Sequence, residues 1–147
     1  MALFRGTFDH TLDAKNRLTI PARYRASLAE GVVLAIPADL EPCVGIWRQE
    51  EYDAYTRRAL DELPPLSSRR SEMQRFFFGN SQDADLDAAG RVMIPGFLGE
   101  HASLEKDVVV VGVGDRLELW NGDAWSQHRS ALLSGVAEVT ARVDDAA

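Results

Sequence analysis

Two aspartate–arginine pairs, Asp13 with Arg17 and Asp87 with Arg91, carry the most suggestive chemistry in this chain. Each pair brackets a run of turn-forming residues, Ala14-Lys15-Asn16 in one case and Ala88-Ala89-Gly90 in the other. Asn16 and Gly90 hold equivalent places, and both residue types tolerate the left-handed backbone that a tight turn needs. The two ends of such a turn face each other, so each aspartate is predicted to bond the arginine four residues on. Two roles follow. The pair can simply pin the turn, where an exposed ion pair contributes no more than about 1 kcal/mol and aspartate is a common turn former. Alternatively, the aspartate orients the arginine toward a phosphate or base edge, whose paired acceptors suit the planar guanidinium fork. Lys15 and Asn16 add a charge and an amide at the first tip, whereas Arg91 is the second turn's one cation.

The elements that position these residues are themselves repeated. Residues 12–21 read Leu-Asp-Ala-Lys-Asn-Arg-Leu-Thr-Ile-Pro, and residues 86–95 read Leu-Asp-Ala-Ala-Gly-Arg-Val-Met-Ile-Pro. Six of the ten positions are identical, where chance alone would give fewer than about one. Trp47 and Tyr52 match Trp120 and Trp125 downstream, and Phe4-Arg5-Gly6 matches Phe77-Phe78-Gly79 upstream. The chain is a tandem duplication of one β-rich unit.

In the first unit, strands over Phe8–Leu12 and Arg17–Ile20 flank the turn, and Pro21 ends the second because proline cannot donate to a ladder. A short helix over Ala22–Leu28 follows, then strands over Val32–Ile36 and Gly45–Trp47. Pro95, Val108–Val111 and Arg116–Trp120 are the second unit's equivalents, and the alternation in Arg116-Leu117-Glu118-Leu119-Trp120 predicts a half-exposed strand. A helix over Gln49–Leu63 places Tyr52, Tyr55, Ala59 and Leu63 on one face, and Pro64-Pro65 stops it. Ser67 or Ser68 caps a connecting helix reaching Phe76. A last helix over Asp123–Val139 precedes an acidic tail, Asp144-Asp145-Ala146-Ala147, expected to fray.

Net charge is −7, which by itself disfavours a nucleic-acid partner. Its distribution matters more. Residues 1–25 carry Arg5, Lys15, Arg17, Arg23 and Arg25 against Asp9 and Asp13, a local excess of +3 on an acidic body. The N-terminal residues lack the basic-then-apolar pattern of a secretory signal, no apolar run spans a bilayer, and the single Cys43 forms no internal disulfide. A soluble intracellular protein is expected.

Residues for catalysis are scattered. His10, His101 and His128 show no ligand-like spacing, and Cys43 beside Pro42 reads as a small buried residue. Asp83, Asp85 and Asp87 alternate along a strand, but the run lacks the glycine and distal glutamate of a calcium loop. Gly112-Val113-Gly114 lacks the lysine of a phosphate loop and reads as a turn; Phe76-Phe77-Phe78 reads as core or subunit interface rather than a base-stacking platform. No enzyme and no cofactor are expected.

Phe4-Arg5-Gly6 followed by Asp13-Ala14-Lys15-Asn16-Arg17-Leu18-Thr19-Ile20-Pro21 resembles the first half of the MraZ family. Phe76-Phe77-Phe78-Gly79, then Leu86 to Pro95, then Leu104 to Gly114 and on to Trp120, resemble its second half. The resemblance covers nearly the whole chain apart from the acidic tail, with Asn16 standing where the family usually has glycine. It implies an α+β, β-rich fold of two pseudo-symmetric swapped-hairpin units of the SpoVT–AbrB type, flanked by helices. The division it implies is a first repeat over 4–63, a helical connector over 64–76, a second repeat over 77–140 and a tail over 141–147. It also implies a bacterial transcription regulator of the cell-division and cell-wall gene cluster, assembling into rings on promoter DNA with short direct repeats. On that reading the protein is cytoplasmic and nucleoid-associated, with no membrane or small-molecule partner. Arg17 and Lys15 are then the first DNA contacts, with Asn16 beside them, Arg91 next and Arg5 a weaker addition. Asp13, Asp87 and Gly90 serve orientation and turn geometry. A structural or antitoxin-like module without its own DNA target is the rival.

Overall fold

The computed structural model describes residues 2–146. Eight strands and five helices follow one another as two similar series. The first comprises β1 (Thr7–Thr11), β2 (Arg17–Thr19), α1 (Ala22–Arg25) with a 3₁₀ turn over Ala26–Leu28, β3 (Val32–Ala35), β4 (Cys43–Arg48) and α2 (Gln49–Asp61). After α3 (Ser68–Gly79) come β5 (Ser81–Ala84), β6 (Arg91–Met93), α4 (Gly96–His101), β7 (Asp107–Gly112), β8 (Arg116–Asn121) and α5 (Gly122–Ala146).

The repeats interlock rather than sit side by side. One antiparallel sheet runs in the order β1-β7-β8-β4-β3-β5, and a second sheet consists of β2 and β6 alone. Each repeat therefore lends its first strand to the other, β1 to β7 and β5 to β3. Two registers mark the pseudo-two-fold axis: Leu18 faces Val92 at the middle of the small sheet, and Gly45 faces Glu118 in the large one. Both pairs consist of equivalent residues of the two repeats. The expected hairpins are therefore open ones. Leu12 and Leu18 make a single bridge, the turn closes by Asp13 N–H on the Arg17 carbonyl at 3.1 Å, and the strands then diverge.

Period-two patterning builds a layered core. Val32, Leu34, Val44, Ile46, Val108, Val110, Leu117 and Leu119 point from the large sheet toward Leu18, Ile20, Val92, Ile94, Leu28 and Leu98, under the small sheet, α1 and α4. The other face is covered in two patches. Val33, Ala35 and Trp47 meet Tyr52 and Tyr55 of α2; Cys43, Val109, Val111 and Trp120 meet Ala124 and Trp125 of α5.

That second covering explains where the structure departs from the sequence reading. β8 is not half-exposed: Leu117 to Trp120 are all buried because β8 lies between β7 and β4 with helices over its outer face. Glu118 is accommodated there by the Arg116 guanidinium at 3.2 Å and the Trp120 indole N–H at 3.1 Å. Helix α2 buries Tyr52, Thr56 and Leu60, with Tyr55 and Ala59 at the rim, and ends at Asp61, ahead of Leu63. Ser67 is the cap of α3, accepting the Arg70 N–H at 3.1 Å, and α3 continues past Phe76 to Gly79. Phe77 thus lies on a helix, whereas its repeat partner Phe4 bridges to Gly114; both are buried. Helix α5 runs to Ala146, through most of the segment expected to fray; Ala147 lies outside the described residues.

Candidate nucleic-acid interface

The local turn chemistry is the same in both repeats. Asp13 Oδ1 accepts the backbone N–H groups of Lys15 and Arg17, each at 2.9 Å, and Asp13 Oδ2 accepts Arg17 Nε at 2.7 Å. Asp87 Oδ1 accepts those of Ala89 and Arg91, each at 2.9 Å, and Asp87 Oδ2 accepts Arg91 Nε at 2.8 Å. A carboxylate that takes three N–H bonds is favoured in its charged form. Both carboxyls are accordingly held below the usual carboxylate range, chiefly by the backbone N–H of Arg17 and of Arg91, with the arginine side chains adding to it. Asn16 and Gly90 supply the left-handed corner at φ +57° and +78°.

Each corner also ties the two repeats together. The Asn16 carbonyl accepts Ile94 N–H at 2.9 Å, and the Gly90 carbonyl accepts Ile20 N–H at 2.9 Å. The turns therefore close the opposite ends of the β2–β6 ribbon. On its inner face lie Leu18 and Val92, 0% and 1% exposed. Alternation turns Arg17, Thr19, Arg91 and Met93 to the outer face, where Arg17 pairs with Met93 and Thr19 with Arg91. The two arginines occupy one diagonal of this face, a separation of roughly 7–8 Å in an antiparallel pair. Their side chains are 25% and 35% exposed, so neither is sealed in the interior. With Nε engaged by the aspartate, the two Nη groups of each arginine have no protein partner among the described residues. They can donate outward as a fork.

Lys15 and Asn16 are exposed at the Arg17 end. Arg5 stands elsewhere, at the end of β1 away from that turn, with its main chain clasped by the Tyr24 hydroxyl of α1. One cation at the ribbon escaped the sequence reading. Arg25, from α1 of the first repeat, lies against Gly90 of the second, with Nε donating to the Ile20 carbonyl at 3.0 Å. Two reciprocal departures from the repeat marked it in the sequence: Arg25 corresponds to Gly99, and Gly90 corresponds to Asn16.

The residues considered for other chemistry do not assemble. Asp83 lies in β5, which ends at Ala84, while Asp85 follows it and Asp87 belongs to the turn, so the three do not share a strand. Among the described residues, no group of three or more His, Cys, Asp or Glu is placed to hold a metal ion. His101 bonds the Glu41 carbonyl at 2.8 Å, and His128 packs on the Trp120 ring, centroids 4.6 Å apart. Cys43 is fully buried, and burial pushes its thiol far above the ordinary range, which leaves it without nucleophilic thiolate. No helix among the described residues is long and apolar enough to cross a membrane.

Comparison with known proteins returns the same two-part organisation. The sequence model of a family described as "MraZ protein, putative antitoxin-like" matches twice, over residues 3–74 and 77–145. The protein named Transcriptional regulator MraZ from Heliobacterium modesticaldum is 36% identical over 143 residues, covering 97% of this chain and 98% of the relative. Its namesake from Azotobacter vinelandii is 39% identical over 140 residues, covering 92% and 91%. That from Hydrogenovibrio crunogenus is 35% identical over 140 residues, covering 93% and 91%. With both repeats matched and nearly full-length relatives above 30% identity, the chain belongs to the MraZ family.

Proposed function

We propose that this chain is a sequence-specific, DNA-binding transcription regulator that reads double-stranded promoter DNA through the outer face of the β2–β6 ribbon. The observation that carries the proposal is the shared face itself, where two arginines, each held by its own aspartate, present unpaired Nη groups on one diagonal. A two-stranded ribbon fits the DNA major groove, and an arginine fork matches the paired acceptors of guanine or a phosphate. Arg17 and Lys15 make the principal contacts, Asn16 and Arg91 add to them, and Arg5 is a weaker addition. Asp13 and Asp87 orient, and Gly90 shapes its turn. The regulator name borne by the relatives supports this class.

An overall charge of −7 makes a single protomer a weak ligand for DNA. A ring-like homo-oligomer presenting the ribbon to short direct repeats raises avidity by about 10²–10⁴ without new contacts. We place the protein at the nucleoid in the cytoplasm, acting on the promoter of a cell-division and cell-wall gene cluster. The repeats at 4–63 and 77–140 act as two unequal halves of one reader, with 64–76 as connector and 141–147 as tail. The antitoxin-like wording of the family description supports a second reading, a structural or antitoxin-like module without its own DNA target.

A mobility-shift assay on DNA from upstream of the chain's own gene separates the two. Salt-sensitive binding that Arg17→Ala abolishes, at unchanged oligomer size, supports the regulator. Binding retained by Arg17→Ala rejects the assignment of that residue, and no binding by the intact protein supports the module.

A further inference from the structure

The two ends of the ribbon are chemically unequal, and the inequality is compensated across the repeats. At the first turn the tip carries Lys15, and the left-handed corner is Asn16. At the second turn the lysine's place is taken by Ala89 and the corner is Gly90. A Cβ built on Gly90 would lie 2.4 Å from Arg25 Nε and 2.6 Å from its Cδ. The glycine thus admits the arginine as well as permitting the backbone. At the first turn the place of Arg25 is taken by Gly99, which lines an open surface pocket with Asn16 and Glu100. The first turn carries a cation from its own loop, Lys15, and the second receives one from the other repeat, Arg25.

The Arg25 guanidinium is anchored rather than consumed. Its Nε donates to the Ile20 carbonyl, the residue whose own N–H binds the Gly90 carbonyl. Its Nη groups have no hydrogen-bond partner among the described residues, and the side chain is part-exposed. Arg23 shares the same short helix, whereas the equivalent α4 carries Glu100 and His101. Helix α1 is the more basic of the two equivalent helices.

We propose that Arg25 is a phosphate-contacting residue of the second half of the ribbon, delivered by the first repeat to the Asp87–Arg91 turn, with Gly90 left bare to receive it. This rests on the ribbon being the DNA-reading face. The test is fluorescence anisotropy of a labelled duplex from upstream of the chain's own gene, titrated over a range of salt concentrations. Wild type, Arg17→Ala, Arg25→Gln, Arg25→Lys and Gly90→Asn are compared, with oligomer size and melting followed in parallel. Each phosphate contact contributes about one unit of slope to log K against log salt. Arg25→Gln should lower the slope by about one unit per bound protomer, and Arg25→Lys should keep it. Gly90→Asn keeps a residue suited to the left-handed corner, as Asn16 is, but displaces Arg25, and should lower the slope likewise. The Asn variant decides the matter if the Gln variant does not fold. Unchanged slopes in folded Arg25→Gln or Gly90→Asn, with Arg17→Ala still disabling, overturn the role of Arg25 alone. Absence of salt-dependent binding by wild type overturns the ribbon reading and this inference with it.

Discussion

Arg17 and Arg91 are equivalent residues of the two repeats that share one face of the β2–β6 ribbon, each with Nε fixed on the aspartate four residues earlier. The bond uses one side of the guanidinium and leaves the Nη side without a hydrogen-bond partner among the described residues. On the function proposed above, aim rather than charge is what the aspartates supply.

Replacing Asp13 by asparagine should therefore separate specificity from attraction. Asp13→Asn removes a negative charge beside Arg17, so non-specific affinity rises while discrimination between the upstream duplex and a scrambled duplex falls. Competition binding with the two duplexes measures this; undiminished discrimination would show that Asp13 serves the turn alone.

The turns should be insensitive to pH through the neutral range. A carboxylate held below its ordinary value contributes stability above that value and loses it as pH falls through the lower folded value. Asp13 and Asp87 are both held below 3.8, so their bonds to Arg17 and Arg91 open only in stronger acid than free aspartate needs. Carbon-13 carboxyl titrations should give midpoints under 3.8 for both residues; a midpoint above that for either would contradict the hydrogen-bonded geometry.

Leu18 and Val92 hold the ribbon on the body from beneath, and neither is exposed beyond 1%. Truncating Leu18 to alanine leaves a cavity under the site and should cost about 2–5 kcal/mol. Chemical denaturation of Leu18→Ala reads this directly, and a loss below about 1 kcal/mol would mean the ribbon is not packed as described.

Arg116 and Glu118 form the part-buried ion pair next to the pseudo-two-fold axis, with side chains 24% and 11% exposed. Removing Arg116 alone strands the carboxylate, so Arg116→Met should destabilise on the order of 3 kcal/mol. Adding Glu118→Gln, which removes the charge but still accepts the Trp120 indole N–H, should restore most of the loss, as judged by melting temperature. Equal melting temperatures for the single and double variants would count against this coupling.

Cys43 is covered by Val109, Val111 and Trp120, and its thiol is pushed up by burial first and by Glu118 second. A thiol-specific reagent should label it only at the rate of global unfolding. Rapid labelling of the native protein would place the β4–β8 region open to solvent.

What the sequence made legible was what acts over four residues. Asp13 to Arg17 and Asp87 to Arg91 are turns whose bonds follow from residue type and spacing alone. Identity of ten-residue blocks exposed the duplication for the same reason. Pairing partners were a different matter: a backbone ladder accepts any strand, so nothing in Thr7–Thr11 names Asp107–Gly112 as its mate, and the exchange of strands came from the family resemblance. Burial of Glu118 was hidden because alternation reports chemistry, not what lies over each face. Arg25 was missed because its neighbour at the turn belongs to the other repeat. The signal was present only as two paired exchanges, arginine for glycine and glycine for asparagine.

The lending of first strands between repeats also governs how the molecule is made. A nascent chain leaving the ribosome holds β1 and β2 long before β7 and β6 exist, so it carries an unmated edge until synthesis is nearly complete. Two half-made copies can offer each other only the first-repeat equivalents of the strands each lacks, a route to mispairing between chains. Fusing the repeats on one polypeptide, through α3, raises the local concentration of the correct mate above that of any stranger.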